Sequence, residues 1–358
     1  MSNGKNLGAE VREMIDQMMV GDEEAASWVK KSRVIDSLVK IPGDASTRRY
    51  YRLTSVGRSY ILMRMDPFMK DGFDLDFLVV QKHLTLASVE VPAVLDVDPE
   101  RGFILLEDLG DVTLLRRLQN VSNPDVERHL YERVIDQLVN LQFHASPRQG
   151  SKPIDAFKLR FDHEKLMWEM NHTIEHFYKQ YLGREIKPHD LKVMEEGLSE
   201  ICHILANQPV VFTHRDFHSR NVMVMPPEEG TNNDRLVMID FQDARMGPAQ
   251  YDLASLLKDS YYQLDEGQIK SLVNYYIARW EGVSQQTLDH TEFFRVFDLM
   301  SVQRNFKAIG SFASFMNRRG NPSYLKYIGN TFENIRRTLL KYPEYSELRE
   351  VLFHYYYF

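Results

Sequence analysis

Two stretches, VVFTHRDFHSRNVMV at 210–224 and LVMIDFQDA at 236–244, constrain this chain more than anything else in it. Their apolar runs are too short for a helix and rich in valine, which reads as strands bounded by polar loops. Three strands are expected: Val210 to Thr213, Val222 to Met225 and Leu236 to Ile239. The first delivers His214, Arg215 and Asp216 into a loop, and Asn221 follows five residues after the aspartate. A hairpin of the other two carries Asp240 to the same end. Three oxygen-bearing side chains, distant in the chain, are therefore expected to converge.

Such a set suits phosphoryl transfer, which asks a protein to orient an acceptor hydroxyl and to neutralise triphosphate charge rather than to do covalent chemistry. Asp216 would accept a hydrogen bond from the hydroxyl and take its proton. Asn221 would offer a neutral carbonyl oxygen and Asp240 a carboxylate to Mg²⁺, a hard ion that prefers oxygen. His214 is expected to brace the loop. His218 and Arg220 lie within it, where they could touch the acceptor or the phosphates or face solvent. A second class stays open: His214, Asp216, His218, Asp240 and Asp243 are ligand types for a metal-dependent hydrolase, although that site would explain neither Asn221 nor the strands upstream. A catalytically silent nucleotide-binding scaffold is a third.

The rest of the chain divides in two. The first 27 residues read as an N-terminal extension, polar enough to fray or form a loose helix. From 28 to 108, short β-rich runs (Tyr50 to Leu53, Tyr60 to Met65, Gly102 to Leu106) alternate with turns, interrupted by one helix, Phe73 to Ala87, with apolar positions at Phe73, Phe77, Val80 and Leu84. From 109 to 358 helical patterns dominate. Asn123 and Pro124 start a helix burying Val126, Leu130, Val134, Leu138 and Leu141. Others are expected over Asp162 to Leu182, Asp190 to Ala206, Gly267 to Trp280, Glu292 to Phe315 and Tyr324 to Leu340. The fold class is α+β, with a small β-rich lobe and a larger helical one.

Composition removes other classes. With 358 residues, 43% of them hydrophobic, the chain can bury one large core or two linked ones. A net charge of −7 gives no general attraction to nucleic acid or anionic lipid. No apolar run approaches the roughly 18 residues of a membrane span. The N-terminus has acidic residues among its apolar ones, unlike a secretory signal, and the single cysteine, Cys202, can form no internal disulfide. A cytoplasmic protein with a small-molecule substrate and no nucleic-acid or membrane partner is expected.

The pair of motifs resembles the HxDxxxxN and DFG-like signatures of the aminoglycoside phosphotransferase and choline kinase superfamily, over nearly the whole chain. GDASTRRYYRL, FILLEDLGD, IDFQDARMGPAQYDLASLL and DLMSVQRNFKAIGSFA are similar to the branch of bacterial kinases that phosphorylate the anomeric hydroxyl of N-acetylmuramate and N-acetylglucosamine in cell-wall recycling. The resemblance implies a two-lobed, protein-kinase-like fold, ATP and Mg²⁺, and an amino sugar acceptor; aminoglycosides, choline and homoserine are the superfamily's other acceptors. It places IPGDASTRRYY over the phosphates, with Gly43 permitting close approach and Ser46, Thr47 and Arg48 donating. Arg64 stands where the family commonly has a lysine, keeping the charge but changing the geometry. An acidic partner would come from Asp74 or Asp76. The Glu107 carbonyl and Leu109 amide become the adenine contacts. Asp252 in YDLASLL is expected to cap a helix and support the catalytic loop. Glu169 and His172 are the acceptor candidates on the helical segment where relatives build that pocket, while Trp168, Phe177 and Tyr178 are expected in the core.

Overall fold

The computed structural model describes residues 36–41, 48–69, 75–227 and 233–358. The N-terminal extension, the phosphate-contact candidates Gly43, Ser46 and Thr47, and Phe73 and Asp74 lie outside the described residues. The chain divides into two compact units, one running up to Lys82 and from Val91 to Asp111, the other comprising His83–Glu90 and Val112–Phe358.

The first unit is an antiparallel sheet of β1 (Ser37–Ile41), β2 (Arg49–Ser55), β3 (Arg58–Arg64), β4 (Val94–Asp98) and β5 (Phe103–Glu107), ordered β1-β2-β3-β5-β4. Strands β2 and β3 close in a two-residue turn in which Val56 and Gly57 both take positive φ, 49° and 71°, the backbone twist that a tight hairpin requires. Along β2 the side chains of Tyr51, Leu53 and Ser55 are buried while those between are not, so one face of the sheet is core. Helix α1 (Asp76–Leu86) buries Phe77, Val80 and Leu84 at the expected spacing. Beyond β5 the chain is tied back to the sheet. Arg52 on β2 donates from Nε to Asp108 at 2.7 Å and pairs with Asp111 at 2.9 Å, and Ser59 on β3 donates to Asp108 as well. Burial pushes the Asp108 carboxyl up, but Arg52, Ser59 and the Gly110 amide outweigh it and leave it below its ordinary range.

The second unit is mostly helical. Helices α2 (Leu114–Leu118), α3 (Pro124–His144), α4 (His163–Thr173) and α5 (Pro188–Ala206) precede two antiparallel strand pairs, β6 (Val210–Thr213) with β9 (Arg245–Pro248) and β7 (Val222–Met225) with β8 (Arg235–Met238). Helices α6 (Gln250–Leu257), α7 (Glu266–Ser284), α8 (His290–Arg319), α9 (Ile328–Leu339) and α10 (Ser346–Tyr357) complete it. The Asn123 side chain accepts from the Asp125 amide with Pro124 in the first turn, the start signal read from sequence. Helix α4 continues without a break into a π-helical segment, Ile174–Tyr181, so the periodic stretch expected as one helix changes pitch midway. The aromatic terminus packs on this unit: Tyr356 stacks on Phe332 at 4.2 Å and Tyr355 donates to Asp190 at 2.7 Å.

Two residues expected in the core are outside it. Val126 is 40% exposed, because it sits in the first turn of α3, ahead of the stripe at Leu130, Val134, Leu138 and Leu141 that faces inward. Trp168 is 57% exposed, and its ring carries the Lys165 ammonium at 3.9 Å from the centroid instead of a core neighbour. Phe177 and Tyr178 are buried as expected. Cys202 is buried too, and burial pushes its thiol up to about 12. Among the described residues no helix is long and apolar enough to cross a membrane.

Helix α8 is the axis of this unit, packed by α4, the π segment, α5, α6 and α9 and buried on nearly all sides from Val296 to Ile309. Its closest approach is at Gly310, where a Cβ would stand 2.2 Å from Thr173 Oγ1 and 2.7 Å from Thr173 Cα. That threonine already donates to the Phe306 carbonyl at 2.8 Å and cannot retreat freely. Gly310→Ala is therefore expected to destabilise the protein by about 1–3 kcal/mol through overpacking. A thermal melt unchanged by this substitution would show that α8 and Thr173 are less tightly apposed than described here.

Candidate active site

Strand β6 ends at Thr213 and β7 begins at Val222; the loop between them is bonded from behind rather than left to its own propensities. Asp252, buried in α6, accepts the His214 amide at 2.7 Å and the Arg215 amide at 2.9 Å. Asp259, just beyond α6, accepts the Ser219 amide at 3.0 Å and its hydroxyl at 2.5 Å. Burial pushes both carboxyls up, Asp252 to about 7 and Asp259 to about 6, against the pull of those donors. Asp252 thus supports the loop, as the sequence led one to expect, but it does not cap α6, whose N-cap position is Ala249.

The loop and the end of the β7–β8 hairpin each hold an unusual backbone. Arg215 has φ 81° and Asp240 has φ 67°, both in the left-handed region that side chains other than glycine seldom occupy. Such positions cost on the order of 1–3 kcal/mol each and persist where surrounding bonds over-determine them. Here the Asp252 bonds fix Arg215, which also pairs with Asp243 at 2.9 Å. At Asp240, His214 Nε2 donates to the preceding Ile239 carbonyl at 2.9 Å, and the Ile239 amide donates to the Asn221 carbonyl at 3.0 Å. His214 is fully buried and kept neutral by that burial. It braces the loop.

These restraints set the Asn221 side chain between the Asp216 main chain and the Asp240 carboxylate. Asn221 Nδ2 donates to the Asp216 carbonyl at 2.9 Å and lies 3.4 Å from Asp240 Oδ2. Asp240 is exposed and takes a further bond from Gln242 at 2.8 Å. Asn221 and Asp240 supply one neutral and one charged oxygen, the donor chemistry that Mg²⁺ accepts, so the residues present fit that ion. The hydrolase alternative needs a richer cluster, and among the described residues no three His, Cys, Asp or Glu side chains gather to hold a metal.

Asp216 faces a cavity of ≈ 120 Å³ whose walls include His218, Tyr261, Arg304, Lys307 and Phe312. Lys307 Nζ is 3.0 Å from Asp216 Oδ1 and Arg304 is 3.5 Å from the same atom. Burial would push the Asp216 carboxyl up; Lys307, then Arg304, then Arg215 outweigh it and hold it well below the usual carboxylate range. His218 lines the cavity and burial drives it down to about 3, so it is a neutral wall.

The other candidates are scattered. Arg220 lies over the rings of Tyr261 and Tyr324, at 5.1 and 5.4 Å, behind the cavity wall. Glu169 is buried rather than on an exposed helix face, and accepts the Gln303 amide at 2.9 Å. His172 stands against Trp168 and His176, away from the cavity lining, and burial drives it down to about 4. In the first unit, Arg48 lies 5.9 Å from the Phe77 ring centre and Arg64 5.8 Å from that of Phe103. The Glu107 side chain accepts the Ala93 amide at 3.2 Å, and Leu109 is buried.

Sequence reasoning assigned no role to Arg304 or Lys307, although both lie in the QRNFKAIG wording that carried the resemblance. The signal was there: two cations one turn apart in a helix otherwise buried on all sides ask for a specific partner.

Residues 37–285 match the Phosphotransferase enzyme family. The N-acetylmuramate/N-acetylglucosamine kinase of Pseudomonas aeruginosa is 32% identical over 317 residues, 88% of this chain and 87% of that protein. Among solved structures, a choline kinase from Cryptosporidium parvum Iowa II superposes with a TM-score of 0.58 at 13% identity, covering 88% of this chain and 91% of the other. The ADP-bound aminoglycoside phosphotransferase APH(2'')-Ib gives 0.55 at 17% identity, with coverages of 88% and 98%.

Proposed function

Because the chain belongs to the phosphotransferase enzyme family and is a small-molecule kinase of protein-kinase-like fold, we propose that it moves the γ-phosphate of ATP to the anomeric hydroxyl of N-acetylmuramate and N-acetylglucosamine. The observation that carries this reading is the Asp216 carboxylate, facing a cavity on one side and tied through its carbonyl to Asn221 and so to Asp240 on the other.

In this mechanism the sugar hydroxyl donates a hydrogen bond to Asp216. Its oxygen forms a bond to the γ-phosphorus as the bond to the β,γ-bridging oxygen breaks; its proton passes to Asp216, and ADP leaves. Asp216, held well below the usual range, is a weak base, so its main work is to aim the hydroxyl and to take a proton released late in the step. Asn221 Oδ1 and the Asp240 carboxylate are the groups assigned to Mg²⁺, which when bound neutralises phosphate charge. On the strand-rich unit the nucleotide contacts we assign are Arg48, Arg64, the Glu107 carbonyl and the Leu109 amide. Of the acceptor candidates, His218 lines the cavity and Arg220 stacks on Tyr261 of its wall, while Glu169, bonded to Gln303, and His172, against Trp168 and His176, do not line it. A lone buried thiol fits a cytoplasmic enzyme of cell-wall recycling.

An acceptor screen that reads ADP release, with N-acetylmuramate, N-acetylglucosamine, choline and kanamycin side by side, tests the assignment. The expected result is turnover of the two sugars alone, with a product that has lost its reducing end. Selective turnover of choline or kanamycin would overturn it.

A further inference from the structure

Two cations, Lys307 and Arg304, stand together in the wall of the Asp216 cavity. Other charges nearby find partners elsewhere: Arg215 pairs with Asp243 at 2.9 Å, Lys165 faces Glu169 at 3.9 Å, and Lys258 is bound to Glu266 at 2.6 Å. Asp259 spends its oxygens on Ser219 and the Tyr261 amide. Asp252 likewise bonds only the His214 and Arg215 amides, and the carboxylate in direct contact with Lys307 and Arg304 is Asp216. Arg304 makes its close hydrogen bonds to neutral hydroxyls, Ser255 at 2.7 Å and Tyr251 at 2.6 Å, and lies over the Tyr251 ring. Among the described residues Asp216 is thus the one carboxylate within ion-pair distance of either cation, and Lys307 brings its ammonium to the cavity lining beside it.

We infer that Lys307, backed by Arg304, is a carboxylate-binding subsite of the acceptor cavity, built for an acidic amino sugar. This rests on the sugar-kinase reading above. In N-acetylmuramate the lactyl carboxylate hangs on the ring carbon next but one to the anomeric centre. A hydroxyl aimed at Asp216 therefore brings that carboxylate toward an ammonium only 3.0 Å from Asp216 itself. Tyr261 and Phe312, in the same lining, offer apolar faces to the ring carbons. Cationic acceptors meet the opposite: the Lys307 ammonium beside the reacting position disfavours a positive group there. N-acetylglucosamine lacks the carboxylate and loses only this contact.

The test compares wild type, Lys307→Gln and Lys307→Arg, measuring kcat and KM for N-acetylmuramate and N-acetylglucosamine. Lys307→Gln changes Asp216's surroundings for both sugars, so the informative quantity is the ratio of the two kcat/KM values. That ratio is expected to fall on the order of 10- to 100-fold against N-acetylmuramate, chiefly through KM, as for loss of a charged hydrogen bond. Lys307→Arg should restore most of it. If both sugars decline together and the ratio holds, Lys307 serves Asp216 or the phosphoryl group and the subsite is overturned. Titration calorimetry with each sugar decides the case where Lys307→Gln turns over too slowly: loss of N-acetylmuramate binding alone supports the subsite, and equal loss of both removes it. A wild-type enzyme that phosphorylates neither sugar would take down the sugar-kinase reading as well, a result distinct from an unchanged ratio.

Discussion

Asp216→Asn should reduce the single-turnover rate of phosphoryl transfer by about 100- to 10,000-fold, the range found when a positioned proton acceptor is removed. The substitution keeps the shape of the side chain and its tie to the loop, and removes the charge that aims the acceptor hydroxyl. KM for the sugar should change far less than the rate. Lys307 and Arg304 lose their shared counter-ion, 3.0 and 3.5 Å away, so a modest drop in melting temperature is expected beside the kinetic loss. The wild-type pH profile carries a linked expectation. A carboxyl whose folded value is depressed stays ionised above that value and loses its charge only as pH falls through it. With Asp216 held well below the ordinary range of about 4, kcat/KM should show no acid limb from this group between about pH 8 and 5. An Asn variant within a few-fold of wild type in single turnover would remove Asp216 from the reaction.

Asp252→Ala should cost about 2–5 kcal/mol of stability and most of the activity, although Asp252 touches no substrate. Both its oxygens are engaged, on the His214 and Arg215 amides, and the residue is fully buried. Alanine leaves those two amides without acceptors at the point where Arg215 is held at a φ of 81°. Losing the restraint lets Arg215 relax toward ordinary backbone, and Asp216, the next residue, moves with it. Asp252→Asn keeps one acceptor oxygen and should fall between wild type and alanine in both melting temperature and kcat. Denaturation midpoints and kcat measured on the same preparations check this. An alanine variant that melts as wild type would mean the loop holds its shape without the anchor.

The part of the site that could be read from sequence is the part specified locally. Asp216, Asn221 and Asp240 were legible because strands β6, β7 and β8 are short, apolar and punctuated by the residues themselves, so spacing along the chain converts directly into position. Lys307 and Arg304 were not assigned, because their role depends on which face of a helix buried on all sides meets the loop, and periodicity does not report that. Val126 and Trp168 failed for a related reason: an apolar residue at helical spacing faces the core only if a neighbouring element covers that turn, and among the described residues none buries these. Helix α2 went unread because five residues are too few to show a period of 3.6. The strand β9 that pairs with β6 was missed as well. Its sequence, RMGP, contains a glycine and a proline, which argue against a strand in isolation; pairing with Val210–Thr213 overrides that preference.

Helix α8, thirty residues long, enters the cavity from a different part of the chain than the loop and hairpin carrying Asp216, Asn221 and Asp240. On the proposed reading, one stretch of gene thus encodes both a wall for the acceptor and the two cations, Lys307 and Arg304, that set the charge of Asp216. Variation at Ala308, Ser311 and Phe312, which face the cavity from this helix, can redraw the list of accepted sugars while leaving the phosphate end alone. Gly310, between them and wedged on Thr173, marks where that latitude stops.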